Sequence, residues 1–318
     1  MPSDASTRER VAPTAGLDED RWVGDNGKDT FVDIASTING MATKTRWWTS
    51  YWFNVEKDHG YYVWGDTGDK DKPKFDCIFD PGQSVEQAEL YNGVALKVKL
   101  NGDKAPYAAE LVLEGIKYGD WQSHPGLGYY AVQVAGEDLG ELDPNVLLGI
   151  FTYQFGASAG DPNTENVHRE IDLLETMAGS QQTGDQHNAQ FAVQPASGDR
   201  NGLRNGKRFT LPKKTYGATT FMRLTKQSGE STPSLSLRVY NAWPTMDEMI
   251  KDEDGQKALG SWSVKPSPLL RERLNERLHI NFYVPGGKTG GRLPRSNQTV
   301  LVRHFEYKSP ETASAAKP

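Results

Sequence analysis

The chain has 318 residues, with 36 Lys and Arg against 42 Asp and Glu, a formal net charge of −6 and one cysteine. It is long enough to bury a large core, and the lone Cys77 excludes an internal disulfide or a cysteine-rich zinc site. The sequence has no long basic run and no stretch near the roughly 20 apolar residues of a membrane helix, so neither a nucleic-acid nor a membrane partner is expected.

Both ends of the chain are small, polar and unpatterned, so residues 1–21 and 308–318 are predicted to be flexible segments. No linker or internal repeat divides the chain between them, which predicts a single domain over residues 22–307. The first thirty residues contain no apolar run of the kind found in a signal peptide.

Ten short apolar or alternating runs, separated by turn residues, follow one another along this domain. They predict strands at 94–100, 107–113, 129–134, 146–153, 170–176, 188–194, 219–224, 235–240, 278–284 and 299–307. Two segments, 245–259 and 268–277, have helical composition and predict short inserted helices. Many strands of similar length without a βαβ rhythm predict an all-β fold, a jelly-roll sandwich of two packed antiparallel sheets.

Three carboxylates lie within six residues of one predicted strand. Glu170 and Asp172 share a face because side chains alternate along a strand. Strict alternation would turn Glu175 into the core, where an unpaired charge costs several kcal/mol. We therefore predict a β-bulge at Leu173 and Leu174 that returns Glu175 to the face of the other two acids.

Carboxylates crowded on one face raise one another's proton affinity, so that one can serve as a general acid while another stays ionised. Hydrolysis of a glycosidic bond needs such a pair, and in a retaining enzyme the two groups lie about 5–5.5 Å apart. Neighbours on one strand favour this shorter separation. The residues alone leave open a second interpretation, in which the acids only decorate a solvated strand face.

The hexamer Glu170 to Glu175 resembles the E-x-D-x-x-E signature of glycoside hydrolase family 16, the laminarinase and endo-β-glucanase group. Further segments resemble a divergent bacterial branch of this family in order and spacing, at 109–111, 128–132, 148–153, 188–195, 278–283 and 304–307. The resemblance implies a concanavalin-like β-jelly roll, retaining chemistry without a cofactor, and an extracellular location. On the matching positions Glu170 is expected to be the nucleophile and Glu175 the acid/base, with Asp172 between them.

The strand before the acids departs from the family pattern. Many members carry a Trp-Pro-x-x-Trp segment there, whereas this chain has residues 147–154 with Phe and Tyr as the only aromatics. Aromatic faces can stack on sugar rings, and amides, imidazoles and carboxylates can bind sugar hydroxyls. The candidate substrate-binding residues are Trp48, Glu110, Trp121, Gln154, His168 and Gln190. Core packing or simple solvation is the alternative role for each of them.

The favoured function is a retaining endo-acting hydrolase of a β-linked polysaccharide, and the resemblance favours β-1,3 or mixed β-1,3/1,4-glucan. A transglycosylase that uses the same intermediate, or a non-catalytic, lectin-like carbohydrate-binding protein, remains the alternative. A monomer with a polysaccharide or oligosaccharide partner is expected. The acidic run at 66–71 is rich in oxygen ligands but lacks the offsets of a calcium loop, so a solvated turn is favoured over a structural calcium site.

Overall fold

The computed structural model describes residues 31–49, 77–79, 81–88, 90, 93–102, 104–116, 126–153, 169–176, 186–199, 202–270, 276–285 and 293–310. No helix among these residues is long and apolar enough to cross a membrane. The candidate residues Trp121, Gln154 and His168 and the acidic run at 66–71 lie outside the described residues.

Strands dominate the described part of the chain. The first eight are β1 (Phe31–Ile38), β2 (Met41–Thr49), β3 (Ile78–Phe79), β4 (Val85–Ala88), β5 (Gly93–Asn101), β6 (Lys104–Ile116), β7 (Gly128–Gly136) and β8 (Leu147–Tyr153). The next eight are β9 (Ile171–Thr176), β10 (Ala189–Asp199), β11 (Gly202–Phe209), β12 (Gly217–Thr225), β13 (Ser234–Asn241), β14 (Gly260–Val264), β15 (Arg277–Tyr283) and β16 (Gln298–Lys308). All ten predicted strands are confirmed, and β1 to β4, β11 and β14 were not predicted.

Two short helices, α1 (Pro81–Ser84) and α2 (Met246–Lys251), and a 3₁₀ turn at Leu139–Glu141 complete the described elements. The prediction at 245–259 is confirmed for its first part, where Thr245 and Glu248 form a capping box at the start of α2. The helix predicted at 268–277 is wrong at both of its described ends. Residues 268–270 form a turn, in which the Leu270 amide donates to the Ser267 carbonyl, and β15 already begins at Arg277.

The strands form a jelly-roll sandwich whose hydrogen bonding follows the order β11-β10-β9-β8-β15-β6-β2-β1-β16-β7-β12-β13-β14. This path folds over, so that β9 packs against β12 and β13, and β11 packs against β14. Pairing is antiparallel except in β1 with β16 and β3 with β6. The parallel pair of β1 and β16 links the two layers, which therefore share one continuous ladder and are not separate sheets.

The core lies between the layers and takes every second residue of most strands. Trp47 packs edge-on against Phe305 at 5.8 Å between ring centroids, and Phe191 stacks on Phe209 at 4.5 Å. Burying each such ring stabilises the fold by about 1.5–3 kcal/mol. The alternate residues of β10, β9, β8, β15, β6 and β2 point away from this core, and we call the surface that they form the site face.

Candidate active site

The predicted bulge in β9 is confirmed. Along the border with β8, Ile150 lies opposite Leu174, whereas the next residue, Phe151, lies opposite Asp172. Leu173 is therefore the extra residue of a β-bulge. Leu173 and Leu174 are both fully buried in the main core. A regular strand could not turn two successive leucines inward, so the bulge is what accommodates them.

The bulge returns Glu175 to the site face beside Asp172. On the other border of β9, Gln190 lies opposite Glu175 and Ala192 opposite Asp172, with the same register shift. Asp172 is 5% exposed, and Glu175 is half-buried. The two carboxylates therefore lie together on the site face of β9, as the sequence predicted.

Two amides on β10 hold these carboxylates. Gln190 Nε2 donates a hydrogen bond to Glu175 Oε2, and Gln194 Nε2 donates to Asp172 Oδ2 at 3.1 Å. Hydrogen bonds from fixed amides orient a carboxylate without neutralising it. Gln190 is thus placed to position an acid, and its predicted contact with sugar remains a prediction.

The backbone around Glu170 is pinned on both sides. Thr152 Oγ1 donates to the Arg169 carbonyl at 2.9 Å and accepts from the Ile171 amide at 3.1 Å. The Glu170 carbonyl accepts a hydrogen bond from the backbone N–H of Gln194 at 3.2 Å. Arg169 has a φ of +50°, a left-handed conformation that costs a non-glycine residue free energy. These bonds fix the backbone on both sides of Glu170, where the chain enters β9.

An aromatic patch lies next to the acids on the site face. Asp172, Phe151 and His279 are neighbours in register across β9, β8 and β15. The Phe151 ring stacks on the His279 imidazole, with 5.1 Å between centroids and 26° between planes. Tyr153 contacts the same imidazole edge-on at 5.9 Å. The patch supplies a rigid apolar floor beside the carboxylates.

A buried polar pair supports this floor from β6. His279 Nδ1 lies 2.9 Å from Glu110 Oε1, and both side chains are fully buried. Burial, with a smaller contribution from Arg277, lowers the pKa of His279 to about 3. The imidazole is therefore neutral at ordinary pH, and a hydrogen bond joins its Nδ1 to Glu110 Oε1. Glu110 lies on the predicted face, but its carboxylate is committed to this pair.

Trp48 also lies on the site face, whereas the neighbouring Trp47 is fully buried in the core. Successive side chains of a strand point to opposite faces, which places the two tryptophans on opposite sides of β2. The Arg277 guanidinium covers the Trp48 ring at 4.3 Å from its centroid. A sugar that stacks on Trp48 would therefore have to use the other face of the ring.

The structure thus brings together Glu170, Asp172, Glu175 and Gln190, with Glu110 and Trp48 further along the same face. Sequence reasoning missed Arg277, His279 and Thr152. A signal for the first two was present, because they are polar residues at alternate positions of a strand and the residues between and after them, Leu278 and Ile280, are apolar. Among the described residues, no group of three or more His, Cys, Asp or Glu is suited to hold a metal. The expectation of cofactor-free chemistry remains a prediction.

No protein-family model matches the sequence, and a search of curated proteins finds no match. Solved structures with a similar chain trace include a β-glucanase of Bacillus licheniformis, 14% identical over 81% of this chain and 94% of that chain, with a TM-score of 0.46. Another is a prokaryotic β-1,3-1,4-glucanase from a mouse hindgut metagenome, 15% identical over 77% and 89%, with a TM-score of 0.43. A third is an immunostimulatory antigen and pseudo β-1,3-glucanase of Mycobacterium tuberculosis, 14% identical over 81% and 88%, with a TM-score of 0.45. Likenesses at this level assign neither a family nor an activity to the chain.

Proposed function

We propose that this protein is a retaining, endo-acting glycoside hydrolase that cleaves a β-linked polysaccharide. The observation that carries the proposal is the bulge in β9, which places Asp172 and Glu175 on the same face of the strand. By alternation with the buried Ile171, Glu170 belongs to this face as well. A strand that merely decorated a solvated surface would not need a bulge and two supporting amides. The resemblance of the hexamer to family 16 favours β-1,3 or mixed β-1,3/1,4-glucan.

The three acids have distinct roles in this mechanism. The Glu170 carboxylate attacks the anomeric carbon while Glu175 donates its proton to the glycosidic oxygen, which leaves with the aglycone half of the chain. Glu175, now ionised, takes a proton from water, and the resulting hydroxide displaces Glu170 and restores the starting enzyme. Asp172 lies between them, where its bond from Gln194 holds it in place to orient the nucleophile.

The surroundings of the acids suit a polymer. The site face continues across β8, β15, β6 and β2. His279 and Glu110 are fully buried on this face, but Tyr153, Arg277 and Trp48 are only half-buried, so a chain laid across the strands can contact them well beyond the cleaved bond. Phe151 and Tyr153 provide apolar surface next to the acids. Binding along an extended face favours attack at internal bonds.

The proposal is tested by product release from laminarin, lichenan, carrageenan, agarose, xyloglucan and chitosan. Wild type is compared with Glu170→Gln, Glu175→Gln and the exposed control Glu137→Gln. Loss of either catalytic carboxylate should lower turnover by about 10² to 10⁴ or more, whereas the control should be unchanged. Added azide should restore cleavage of an activated glycoside by Glu175→Gln, because azide attacks the glycosyl-enzyme without base assistance.

Two results would contradict the proposal. Unchanged turnover in Glu170→Gln would exclude Glu170 as the nucleophile. Inversion at the anomeric carbon, observed by proton NMR of the first product, would exclude a double displacement. Binding of one polymer by wild type and Glu170→Gln alike, with no cleavage by either, would favour the carbohydrate-binding alternative.

A further inference from the structure

Arg277 is a cation on the site face that the proposed mechanism does not use. It begins β15, lies opposite Tyr153 of β8, and stacks on the Trp48 ring at 4.3 Å. Arginine on an indole face is held by cation–π attraction, which keeps the guanidinium plane fixed. The side chain is thus a preorganised donor and not a mobile surface charge.

The donors of this guanidinium are not all used. Arg277 Nη1 is buried, and no acceptor among the described residues lies within hydrogen-bond distance of it. Burial lowers the pKa of Arg277, and Glu114 is the carboxylate that partly offsets this effect. Glu114 is itself shared with Arg46, whose Nε lies 3.8 Å from Glu114 Oε2. The two arginines thus share the negative charge of Glu114, so a further anion beside Arg277 would be electrostatically favourable.

A comparison within the same molecule shows what a purely structural arginine looks like here. Arg238 is 2% exposed, and its guanidinium donates to the Met249 carbonyl at 3.0 Å, to the Glu253 carbonyl, and to Tyr240 Oη at 3.4 Å. Both of its terminal nitrogens have protein acceptors. A buried donor without an acceptor costs about 1–3 kcal/mol. Arg46 and Arg303 also have a buried Nε without an acceptor among the described residues, whereas in Arg277 the unpaired atom is a terminal Nη1, which can take part in a paired hydrogen bond to an oxyanion.

Arg277 lies where a bound polymer would pass. Thr152 is opposite Ile171, so Tyr153 continues the register to Glu170, and Arg277 follows one strand further along. Two strand spacings place the Arg277 backbone about 10 Å from that of Glu170. Arg277 as a residue is only half-buried, so a chain that crosses the strands from the acids would meet its side chain a short distance from the cleaved bond.

We propose that the polysaccharide is anionic, and that Arg277 binds a sulfate or carboxylate group on a sugar near the cleaved bond. The inference rests on the proposed function, because it names the substrate class of the same site. The planar fork of arginine matches both oxyanions with two parallel hydrogen bonds, which lysine cannot reproduce. Since the protein carries a net charge of −6, general attraction to polyanions is not expected to produce the same binding.

The test compares polymers that differ only in charge. Laminarin, laminarin sulfate and carboxymethyl laminarin form one set, and carrageenan with its desulfated form makes another. Affinity is measured by titration calorimetry for wild type, Arg277→Gln and Arg277→Lys, and cleavage is followed in parallel. The matched control is Arg303→Gln, because Arg303 stacks on Trp243 at 4.6 Å on a strand that does not border β9.

Wild type should bind an anionic polymer about tenfold or more tightly than its neutral form, and Arg277→Gln should lose that factor while binding the neutral form unchanged. Arg277→Lys should regain only part of it, and Arg303→Gln should behave as wild type. Comparison of the sulfated with the carboxymethylated polymer identifies which anionic group Arg277 binds.

Equal affinity of wild type for charged and neutral polymers would overturn the inference, as would an equal loss of affinity for both polymers in Arg277→Gln. Charge-selective binding without any cleavage would overturn the hydrolase proposal and leave this inference standing.

Discussion

Thr152 shows how a single hydroxyl can set the geometry of a catalytic side chain that it does not touch. Its oxygen bridges the Arg169 carbonyl and the Ile171 amide, the two backbone groups on either side of Glu170. Without this bridge the left-handed Arg169 loses one of the contacts that hold it. Thr152 is a positioning residue because it acts through the backbone of Glu170 alone.

Replacing Thr152 by valine keeps the shape of the side chain and removes both hydrogen bonds. We expect a loss of about 1–3 kcal/mol in unfolding free energy, because the buried Ile171 amide and the half-buried Arg169 carbonyl lose their partner. We also expect kcat to fall about tenfold or more with little change in KM, since Glu170 is misdirected and the binding surface is kept. Steady-state kinetics and denaturant unfolding measure the two effects.

Two further variants separate positioning from stability. Thr152→Ser retains the hydroxyl and should recover most of kcat. Thr219→Val removes an equally buried hydroxyl that donates to the Ala242 carbonyl at 2.7 Å on β12, and it should cost stability without lowering kcat. A comparable fall in kcat for Thr219→Val would mean that instability alone explains the effect at Thr152.

The strand β9 combines two demands that a regular strand cannot meet together. It presents acids on the site face and buries Ile171, Leu173 and Leu174 in the core. The bulge meets both demands. Because Leu173 has no partner on β8, Glu175 lies opposite Gly149, two residues from the partner of Asp172, as it would in a regular strand without Leu173. The relation between the acids is therefore set by the register with β8 and not by the number of residues between them.

Deleting one residue tests this interpretation of β9. Removal of Leu173 should leave a regular strand in which Asp172 and Glu175 still point to the site face, so activity should be partly retained. Removal of Ile171 instead joins Glu170 directly to Asp172, turns Glu170 toward the core, and should lower turnover by about 10² or more. Each deletion takes one large apolar side chain from the core and should cost about 2–5 kcal/mol.

Polysaccharide cleavage and thermal unfolding of the two deletion proteins provide the measurement. Because both lose a similar apolar side chain, their stabilities should be similar and their activities should differ. Equal activity in the two folded proteins would show that the face of Glu170 does not matter and would contradict its role as nucleophile.

The elements that sequence reasoning predicted correctly are those whose periodicity is local. The bulge followed from three acids and two leucines in one strand, with the energetic cost of burying a carboxylate as the deciding term. The hairpin of β1 and β2 was missed, although Asn39 and Gly40 lie between the two strands with φ values of +50° and +84°. An Asn-Gly pair is a strong hairpin signal because both residues tolerate positive φ.

Contacts between distant segments were beyond prediction. Glu110 and His279 are 169 residues apart and meet only because β6 and β15 are neighbours in the sheet. Alternation in each strand could place both side chains on a face, yet nothing local says which strands pair. The same holds for Arg277 on Trp48, which joins β15 to β2 across β6.

The layer opposite β9 carries a titratable group that affects the stability of the whole molecule. Glu306 of β16 lies opposite Ala131, next to the apolar cluster beneath α2. Burial, and then the charge of Asp247, raise the pKa of Glu306 to about 7, although Lys308 opposes them. Lys308 is itself bound to Asp247 at 2.9 Å. The folded protein therefore holds a proton on Glu306 that the unfolded chain releases at lower pH.

This difference predicts the direction of a pH dependence. Between the ordinary glutamate pKa of 4.5 and the folded value of about 7, the folded state binds more protons than the unfolded state, so unfolding free energy falls as pH rises. The loss is complete above pH of about 7. Because Glu306 is partly exposed, solvent screening reduces it, and we expect about 1–2 kcal/mol.

Glu306→Gln removes the titration and should therefore gain stability relative to wild type as pH rises from 4 to 8, by that same amount. Urea unfolding at several pH values measures the difference between the two proteins. Burial also lowers the pKa of the nearby His304, but this group is present in both proteins and its effect largely cancels in the difference. The exposed control Glu137→Gln should show no such trend. A difference between wild type and Glu306→Gln that stays constant with pH would mean that Glu306 has the same pKa in the folded and unfolded states, and hence that the second layer tolerates its charge beneath α2 at neutral pH.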